Sequence, residues 1–202
     1  MEPLESPFKI ILGSSSIARR KILSEMGYEF TLMSADIDEK AIRTEKPEEL
    51  VMALAKAKAD AIVSKLQTSK DMTPSVLIAA DTVVVYEGMI REKPESEEEA
   101  RQFIKGYSGK HAATVSSVLV TNLKNGFTKG DFDKVEIHFH EIPDHVIDKL
   151  LEEGLVLKVA GALIIEHPLI VPYVKDVIGT TDSVMGLPKS LTEKLLNEAM
   201  KA

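Results

Sequence analysis

A nearly continuous apolar segment at residues 75–85 constrains the fold more than any other part of the sequence. A strand with so few polar side chains needs cover on both faces, as a central strand of an α/β protein has. The preceding residues 47–66 begin with proline and two glutamates and are rich in alanine, which predicts a long helix. A buried strand that follows such a helix indicates a sheet with helices packed against it.

Further helices and strands alternate along the chain. The predicted strands and strand-like segments are residues 9–12, 29–33, 112–121, 132–140, 159–165 and 169–174, with a hairpin turn at Asn125-Gly126. The predicted helices are residues 16–27, 94–105, 143–152 and 188–202, and the polar connections are residues 36–47 and 68–74. Because no repeat or low-complexity linker interrupts this order, we expect one α/β domain over residues 1–202, compatible with two lobes around a cleft.

Composition removes several functional classes. The 202 residues contain no cysteine, which excludes a disulfide scaffold, a thiol nucleophile and a thiolate zinc site. The net charge of −7 disfavours non-specific binding to nucleic acid. No apolar segment reaches the roughly 18–20 residues of a membrane span, and the N-terminal residues do not resemble a signal peptide. We therefore expect a cytoplasmic protein that has neither a nucleic-acid nor a membrane partner.

A serine-rich loop joins the first predicted strand to the first predicted helix. It contains Ser14, Ser15 and Ser16, and Arg19 and Arg20 follow within the first helical turn. Backbone N–H groups and the helix dipole favour a phosphate at such a position, and an arginine can add two hydrogen bonds to its oxygens. The alternative interpretation is a serine N-cap followed by two solvated arginines, and the spacing alone favours that alternative.

Charged side chains at three places in the chain are candidates for a substrate site. Asp81 interrupts the apolar strand, and a carboxylate there must be paired, metal-bound or protonated, so a structural salt bridge and a functional site are equally good interpretations. Lys56 and Lys58 lie about 200° apart around the predicted helix, so at most one can face a shared site, and a solvated face is the simpler explanation. Lys93 directly precedes a predicted helix, where it can reach a substrate.

Three other motifs are rejected. The glycine-rich stretch at residues 106–111 is not a phosphate-binding P-loop, because position 104 is isoleucine and a histidine follows the lysine. His138 and His140 share one face of a predicted strand, but without an evident third ligand a surface pair is the simpler interpretation. The serines at 14–16 lack the G-x-S-x-G pattern of a serine hydrolase.

The order of these motifs resembles the Maf family of nucleoside triphosphate pyrophosphatases over nearly the whole chain. The resemblance rests on LGSSSIARR at residues 12–20, IDE at 37–39, LAKAKA at 54–59, ADTVV at 80–84, EKP at 92–94, SG at 108–109, AG at 160–161 and GLP at 186–188. It implies a single elongated α/β domain like that of the inosine triphosphate pyrophosphatases, with a central mixed β-sheet flanked by helices and two lobes around a cleft. It also implies a homodimer and a magnesium or manganese ion.

The resemblance further implies the reaction and the site residues. The reaction is hydrolysis between the α- and β-phosphates of a nucleoside triphosphate, which removes unwanted nucleotides. The implied substrate-binding residues are Ser14, Ser16, Arg19, Lys93 and Glu166, and the implied catalytic residues are Glu39, Lys58 and Asp81. Glu39 and Asp81 are hard oxygen ligands suited to the metal, and Asp81 is the first choice for the general base that activates water.

The chain departs from the family pattern at two places. Where the family commonly has S-P-R-R, this chain has Ile17-Ala18 before Arg19. The common D-K-A-G-x-Y-G-I-Q-G stretch is replaced by KVAGALIIEH at residues 158–167. The second segment is expected to contact the base. The preferred substrate is thus left open. Some members with glutamate at the position of Glu166 act on 7-methyl-GTP, whereas others prefer dTTP and UTP, and Asp81-Thr82 resembles the second group more. The alternative function is a nucleotide-binding regulator of cell division with weak or no catalysis.

Overall fold

The computed structural model describes residues 8–67 and 73–202. The N-terminal residues 1–7 and most of the polar connection predicted at residues 68–74 lie outside the described residues. The strands in the described residues are β1 (Lys9–Leu12), β2 (Phe30–Leu32), β3 (Ser75–Tyr86), β4 (Met89–Arg91), β5 (His111–Asn122), β6 (Thr128–Phe139) and β7 (Val174–Ile178). The α-helices are α1 (Ile17–Glu25), α2 (Pro47–Leu66), α3 (Glu97–Tyr107), α4 (Asp144–Glu153), α5 (Thr181–Val184) and α6 (Lys189–Lys201).

These strands form one mixed, seven-stranded sheet in the order β2-β1-β3-β5-β6-β7, with β4 paired to β3. β1 lies parallel to both of its neighbours, with Ile10 opposite Phe30 on β2 and Val76 on β3. Parallel neighbours require crossover connections, which α1 and α2 provide. β4 and β7 run antiparallel to β3 and β6. The predicted α/β class with a mixed sheet flanked by helices is confirmed.

The chain divides into two compact units. Unit 1 comprises the described residues within Met1–Asp81, Ser116–Asp133 and Gly186–Ala202, and unit 2 comprises Thr82–Val115 and Lys134–Met185. Strands β3, β5 and β6 each contribute residues to both units. Among the described residues, none of the helices has the length and apolar character needed to cross a bilayer.

The core of unit 1 forms where α2 packs on the sheet. Ala55, Ala59 and Ile62 of α2 are buried against Leu77 and Ala79 of β3. The small alanines allow the helix backbone to approach the strand closely, and they also favour the helix intrinsically. This packing fixes the rotation of α2, and therefore which of its polar side chains points along the sheet.

The core of unit 2 is built mainly from α3, α4 and the adjoining strand segments. Tyr107 at the end of α3 is 1% exposed, and its ring packs edge-on to Tyr86 and stacks with Phe139. The helix was predicted to begin at Pro94, but it begins at Glu97 because Ser96 is the N-cap, whose hydroxyl accepts the Glu99 N–H at 3.1 Å.

Two predicted strand-like segments are wrong. Residues 159–165 and 169–174 form 3-10 turns at Ala160–Ala162 and Val171–Tyr173, and β7 begins only at Val174. Gly161 and Ala162 have φ values of 62° and 52°, which no extended strand contains. Pro168 and Pro172 also lack the N–H that a central strand would need. The segments are apolar because they cover the core of unit 2, where Ala162, Ile165 and Ile170 are buried.

Strand β4 and helix α5 are additional elements that the sequence reasoning missed. β4 returns antiparallel to β3 through a turn at Glu87-Gly88, where both residues have positive φ (49° and 77°). Such a turn suits a tight hairpin, and the Glu-Gly pair was its signal in the sequence. Helix α5 has only four residues, too few for a helical periodicity to show.

Candidate functional site

The ammonium of Lys58 lies between two carboxylates in unit 1. Its Nζ is 2.7 Å from Asp81 Oδ1 and 3.3 Å from Glu39 Oε1, and it donates a longer hydrogen bond of 3.4 Å to the Ala80 carbonyl. The side chains of Lys58 and Asp81 are 15% and 11% exposed, whereas that of Glu39 is 46% exposed. The three side chains predicted to be catalytic therefore form one group, buried at Asp81 and open to solvent at Glu39.

The packing of α2 selects Lys58 over Lys56. Lys56 lies on the exposed side of the helix and pairs with Asp60, one turn further on, at 2.9 Å. This confirms that only one of the two lysines faces the site, while the solvated-face interpretation holds for Lys56 and is wrong for Lys58. The cause is the alanine face of α2, which turns Lys58 toward β3.

Ser117 on β5 is a supporting residue that the sequence reasoning missed. Its buried hydroxyl donates a 2.7 Å hydrogen bond to the Val51 carbonyl of α2 and lies 3.5 Å from the Asp81 carbonyl. It thus links the helix that carries Lys58 to the strand that carries Asp81. The signal in the sequence was the pair Ser116-Ser117 inside an otherwise apolar strand, the same kind of interruption that singled out Asp81.

Electrostatic coupling extends this group to Arg19. Burial raises the pKa of Asp81, and the nearby charges of Lys58 and Arg19 oppose the rise while Glu39 adds to it. Burial lowers the pKa of the Arg19 guanidinium, and attraction to Asp81 and Glu39 opposes the fall. Two cations and two carboxylates therefore interact within one partly buried cluster.

The serine-rich loop positions Arg19. Ser16 is the N-cap of α1, since its hydroxyl accepts the Arg19 N–H at 3.2 Å, and the Ser14 hydroxyl accepts the Ser16 N–H at 3.0 Å. The side chain of Arg19 donates from Nε to the Gly186 carbonyl at 2.8 Å, and its Nη1 lies 3.5 Å from Ser14 Oγ. The N-cap interpretation is confirmed, but the prediction of two solvated arginines is wrong because both are partly buried.

Lys93 and Glu166 belong to unit 2. Lys93 is exposed and lies between Glu92, whose carbonyl accepts the Gly161 N–H at 2.9 Å, and the buried Pro94. Glu166 lines an open, mostly apolar cavity of about 420 Å³ whose other lining residues are Ile165, Val171, Val174, Val177, Thr181 and Met185. The altered segment at residues 158–167 thus contributes a carboxylate to an apolar surface.

The histidines form a different pair from the one considered in the sequence. His138 stacks with His111 at 5.1 Å between ring centroids, and the two imidazoles lie 3.4 and 3.6 Å from the Glu136 carboxylate. The backbone N–H of His140 instead donates to the Tyr173 carbonyl. Within residues 8–67 and 73–202, no three histidine or acidic side chains are arranged to hold a metal ion by themselves.

Comparisons with known proteins match nearly the whole chain. Residues 9–199 match the family model described as Maf-like protein. A 7-methyl-GTP pyrophosphatase from Dictyostelium discoideum is 40% identical over 191 residues, which cover 94% of this chain and 96% of the relative. A dTTP/UTP pyrophosphatase from Thermotoga maritima is 34% identical, with 94% and 89% covered, and a nucleoside triphosphate pyrophosphatase from Salinispora tropica is 29% identical, with 95% and 84% covered. The chain belongs to the Maf-like protein family.

Proposed function

We propose that this protein hydrolyses the phosphoanhydride between the α- and β-phosphates of a nucleoside triphosphate, releasing a nucleoside monophosphate and pyrophosphate. The observation that carries the proposal is the Lys58 ammonium, held 2.7 Å from Asp81 and 3.3 Å from Glu39 in a cluster that also includes Arg19. The names of the relatives, all of them nucleotide pyrophosphatases, support the same reaction. The proposal treats residues 1–202 as one functional domain.

Phosphate binding is the role of the cations and the serine-rich loop. The Gly186 carbonyl fixes the plane of the Arg19 guanidinium, and a planar guanidinium can bind two phosphate oxygens at once. The hydroxyls of Ser14 and Ser16 lie beside it at the N-terminus of α1, where the helix dipole favours negative charge. Lys58 and Lys93 contribute further positive charge, which offsets the negative charge of the triphosphate.

Asp81 is the general base in this proposal. The water oxygen forms a bond to phosphorus, the bond from that phosphorus to the oxygen bridging the α- and β-phosphates breaks, and the water proton passes to the Asp81 carboxylate. Burial raises the pKa of Asp81, which makes it a stronger base than an exposed aspartate. The hydrogen bond from Lys58 to Oδ1 orients the carboxylate for this transfer.

The carboxylates around Lys58 also fit a magnesium or manganese ion. Magnesium is typically held by one or two protein carboxylates together with substrate phosphates, and Glu39 and Asp81 supply two. Burial raises the pKa of Asp81 even beside Lys58 and Arg19, and a bound cation would favour the ionised carboxylate further. When bound, such an ion polarises the phosphoryl group.

Glu166 favours 7-methyl-GTP over dTTP and UTP as the substrate. A carboxylate accepts two parallel hydrogen bonds from N1–H and the 2-amino group of a guanine base. Thymine and uracil instead present one N–H between two carbonyl oxygens, which repel a carboxylate. The positive charge of a 7-methylated purine adds attraction to Glu166, and the apolar residues of the cavity suit the ring faces. The Dictyostelium discoideum relative carries the matching name.

The family resemblance extends the proposal to the setting of the enzyme. We propose a homodimer in the cytoplasm, with the nucleotide as its partner and with no nucleic-acid or membrane partner. The net charge of −7 supports the exclusion of nucleic acid, because an acidic surface repels a phosphate backbone.

Product identification tests the reaction. Purified protein with Mg²⁺ or Mn²⁺ is incubated with 7-methyl-GTP, GTP, dTTP, UTP, CTP and ITP, and the products are separated. Monophosphate and pyrophosphate in equal amounts, absent with Asp81→Ala, are the expected result. Release of inorganic phosphate would make the protein a different phosphohydrolase. Nucleotide binding without turnover across the panel would support the regulator of cell division instead.

A further inference from the structure

The backbone that leads into Lys93 is held at two consecutive residues of unit 2. The guanidinium carbon of Arg91 lies 4.2 Å from the ring centre of Tyr86 and 4.3 Å from that of Phe103, and Nη1 donates to the Phe103 carbonyl at 3.3 Å. The next carbonyl, that of Glu92, accepts the Gly161 N–H at 2.9 Å. The end of β4 is therefore fixed by a cation–π contact and by a backbone hydrogen bond.

Tyr107 takes part in both of these contacts. Its ring centre is 5.2 Å from the guanidinium carbon of Arg91, and its hydroxyl donates a 2.7 Å hydrogen bond to the Gly161 carbonyl. Burial raises the pKa of Tyr107 to about 12, so the hydroxyl keeps its proton over the range in which enzymes are assayed. One buried side chain thus joins the Arg91 contact to the Gly161 contact.

The backbone beside Gly161 needs such support because Ala162 has a strained conformation. Ala162, the next residue, has φ of 52°, and a non-glycine residue stays in this region only where its surroundings hold it there. A Cβ at position 161 would come within 2.6 Å of Val84 Cβ and 2.8 Å of the Tyr107 hydroxyl oxygen. Any residue with a Cβ at position 161 would therefore prevent the close approach of Tyr107 to this backbone.

We infer that Tyr107 is a positioning residue that holds Lys93 in place for the triphosphate through Gly161 and Arg91. Pro94 restricts the backbone of Lys93 from the other side, because the residue before a proline is confined to extended conformations. Fixing the backbone on both sides lowers the entropy lost when the exposed lysine side chain orders on a phosphate. The inference rests on the proposed role of Lys93 as a phosphate ligand.

Tyr107→Phe is the direct test, because it removes only the hydroxyl. Loss of the hydrogen bond to Gly161 is expected to raise KM for the preferred triphosphate about 5- to 20-fold, with kcat within about twofold, as for a lost binding interaction. Tyr86→Phe is the matched control. It removes the hydroxyl of the other buried tyrosine in this cluster, which lies 3.5 Å from the ammonium of Lys110, and it should leave KM unchanged.

A double-mutant cycle separates positioning of Lys93 from general loss of structure. Lys93→Met alone should raise KM, and adding Tyr107→Phe to Lys93→Met should raise it no further, because the residue that Tyr107 positions is gone. Additive effects of the two changes, or an unchanged KM in Tyr107→Phe beside an impaired Lys93→Met, would overturn the inference and leave the proposed function intact. An unchanged KM in Lys93→Met would contradict the phosphate role of Lys93, and the inference with it.

Discussion

The charged cluster of unit 1 and the segment at residues 159–173 of unit 2 place the proposed site residues by different means. Lys58 and Asp81 lie within α2 and β3, where the direction of each side chain follows from the period of the element. The segment at residues 159–173 has irregular backbone, with positive φ at Gly161 and Ala162, and it is held by side chains from other elements. The first arrangement is encoded locally, and the second depends on tertiary contacts.

The largest expected effect comes from breaking the cluster of unit 1. Lys58→Met should lower kcat/KM by about 10²–10³-fold, as loss of a buried charge that stabilises the reacting groups does. Lys56→Met is the matched control, because Lys56 lies on the same helix, is exposed and pairs with Asp60 one helical turn away. Its kcat/KM should stay within about twofold of wild type. Equal losses in the two variants would mean that the rotation of α2 does not select the functional lysine.

Substrate choice tests the segment of unit 2. Glu166→Gln should lower kcat/KM for 7-methyl-GTP about 10- to 100-fold, because the amide loses both the charge and one acceptor. The same change should lower the discrimination against dTTP and UTP. Competition between 7-methyl-GTP and UTP in one reaction measures this ratio directly. An unchanged ratio would remove Glu166 from base recognition.

Two glycine substitutions measure how strongly the irregular segment depends on its surroundings. Gly161→Ala should reduce the free energy of unfolding by about 2–4 kcal/mol, because it combines a positive φ with overpacking against Val84 and Tyr107. Gly154→Ala also carries positive φ, but nothing lies within 4 Å of its added Cβ, so it should cost only about 1 kcal/mol. Urea denaturation gives both values. Equal costs would show that the backbone conformation alone, and not the packing, limits position 161.

The smallest expected effect is on stability, at Asp81. Burial raises the pKa of Asp81 in the folded protein, so its contribution to stability is fully present below the unfolded pKa and is lost as pH rises through the folded pKa. Asp81→Asn should therefore have a higher Tm than wild type at pH 8, and the gain should disappear near pH 4. Thermal melts at the two pH values measure it. A lower Tm at pH 8 would mean that the Lys58 contact outweighs the cost of burial.

The sequence predicted the regular parts of this protein well. The proline and two glutamates at its start and the alanines in its middle predicted α2, and the rarity of a carboxylate inside an apolar strand singled out Asp81. It could not choose between Lys56 and Lys58, because that depends on which face of α2 packs on β3. Likewise, the spacing at Ser16 showed the N-cap but not the Gly186 carbonyl that binds Arg19, which is 167 residues away in the chain.

The prediction of strands in the irregular segment of unit 2 failed for a physical reason. Residues 159–165 are as apolar as a strand because they cover the core of unit 2, and burial alone does not distinguish a strand from a packed loop. The left-handed conformations at Gly161 and Ala162 are set by Tyr107, Glu92 and Val84, none of which is close in sequence. Only the glycine itself was a local sign that the segment was not extended.

Turnover by Asp81→Asn at a fixed metal concentration tests whether Asp81 is the general base. The asparagine keeps the size of the side chain but cannot accept the proton of the attacking water. We expect kcat with 7-methyl-GTP to fall by about 10²–10³-fold, with nucleotide binding retained in calorimetry. Near wild-type turnover to monophosphate and pyrophosphate would contradict the assignment of Asp81 as the general base.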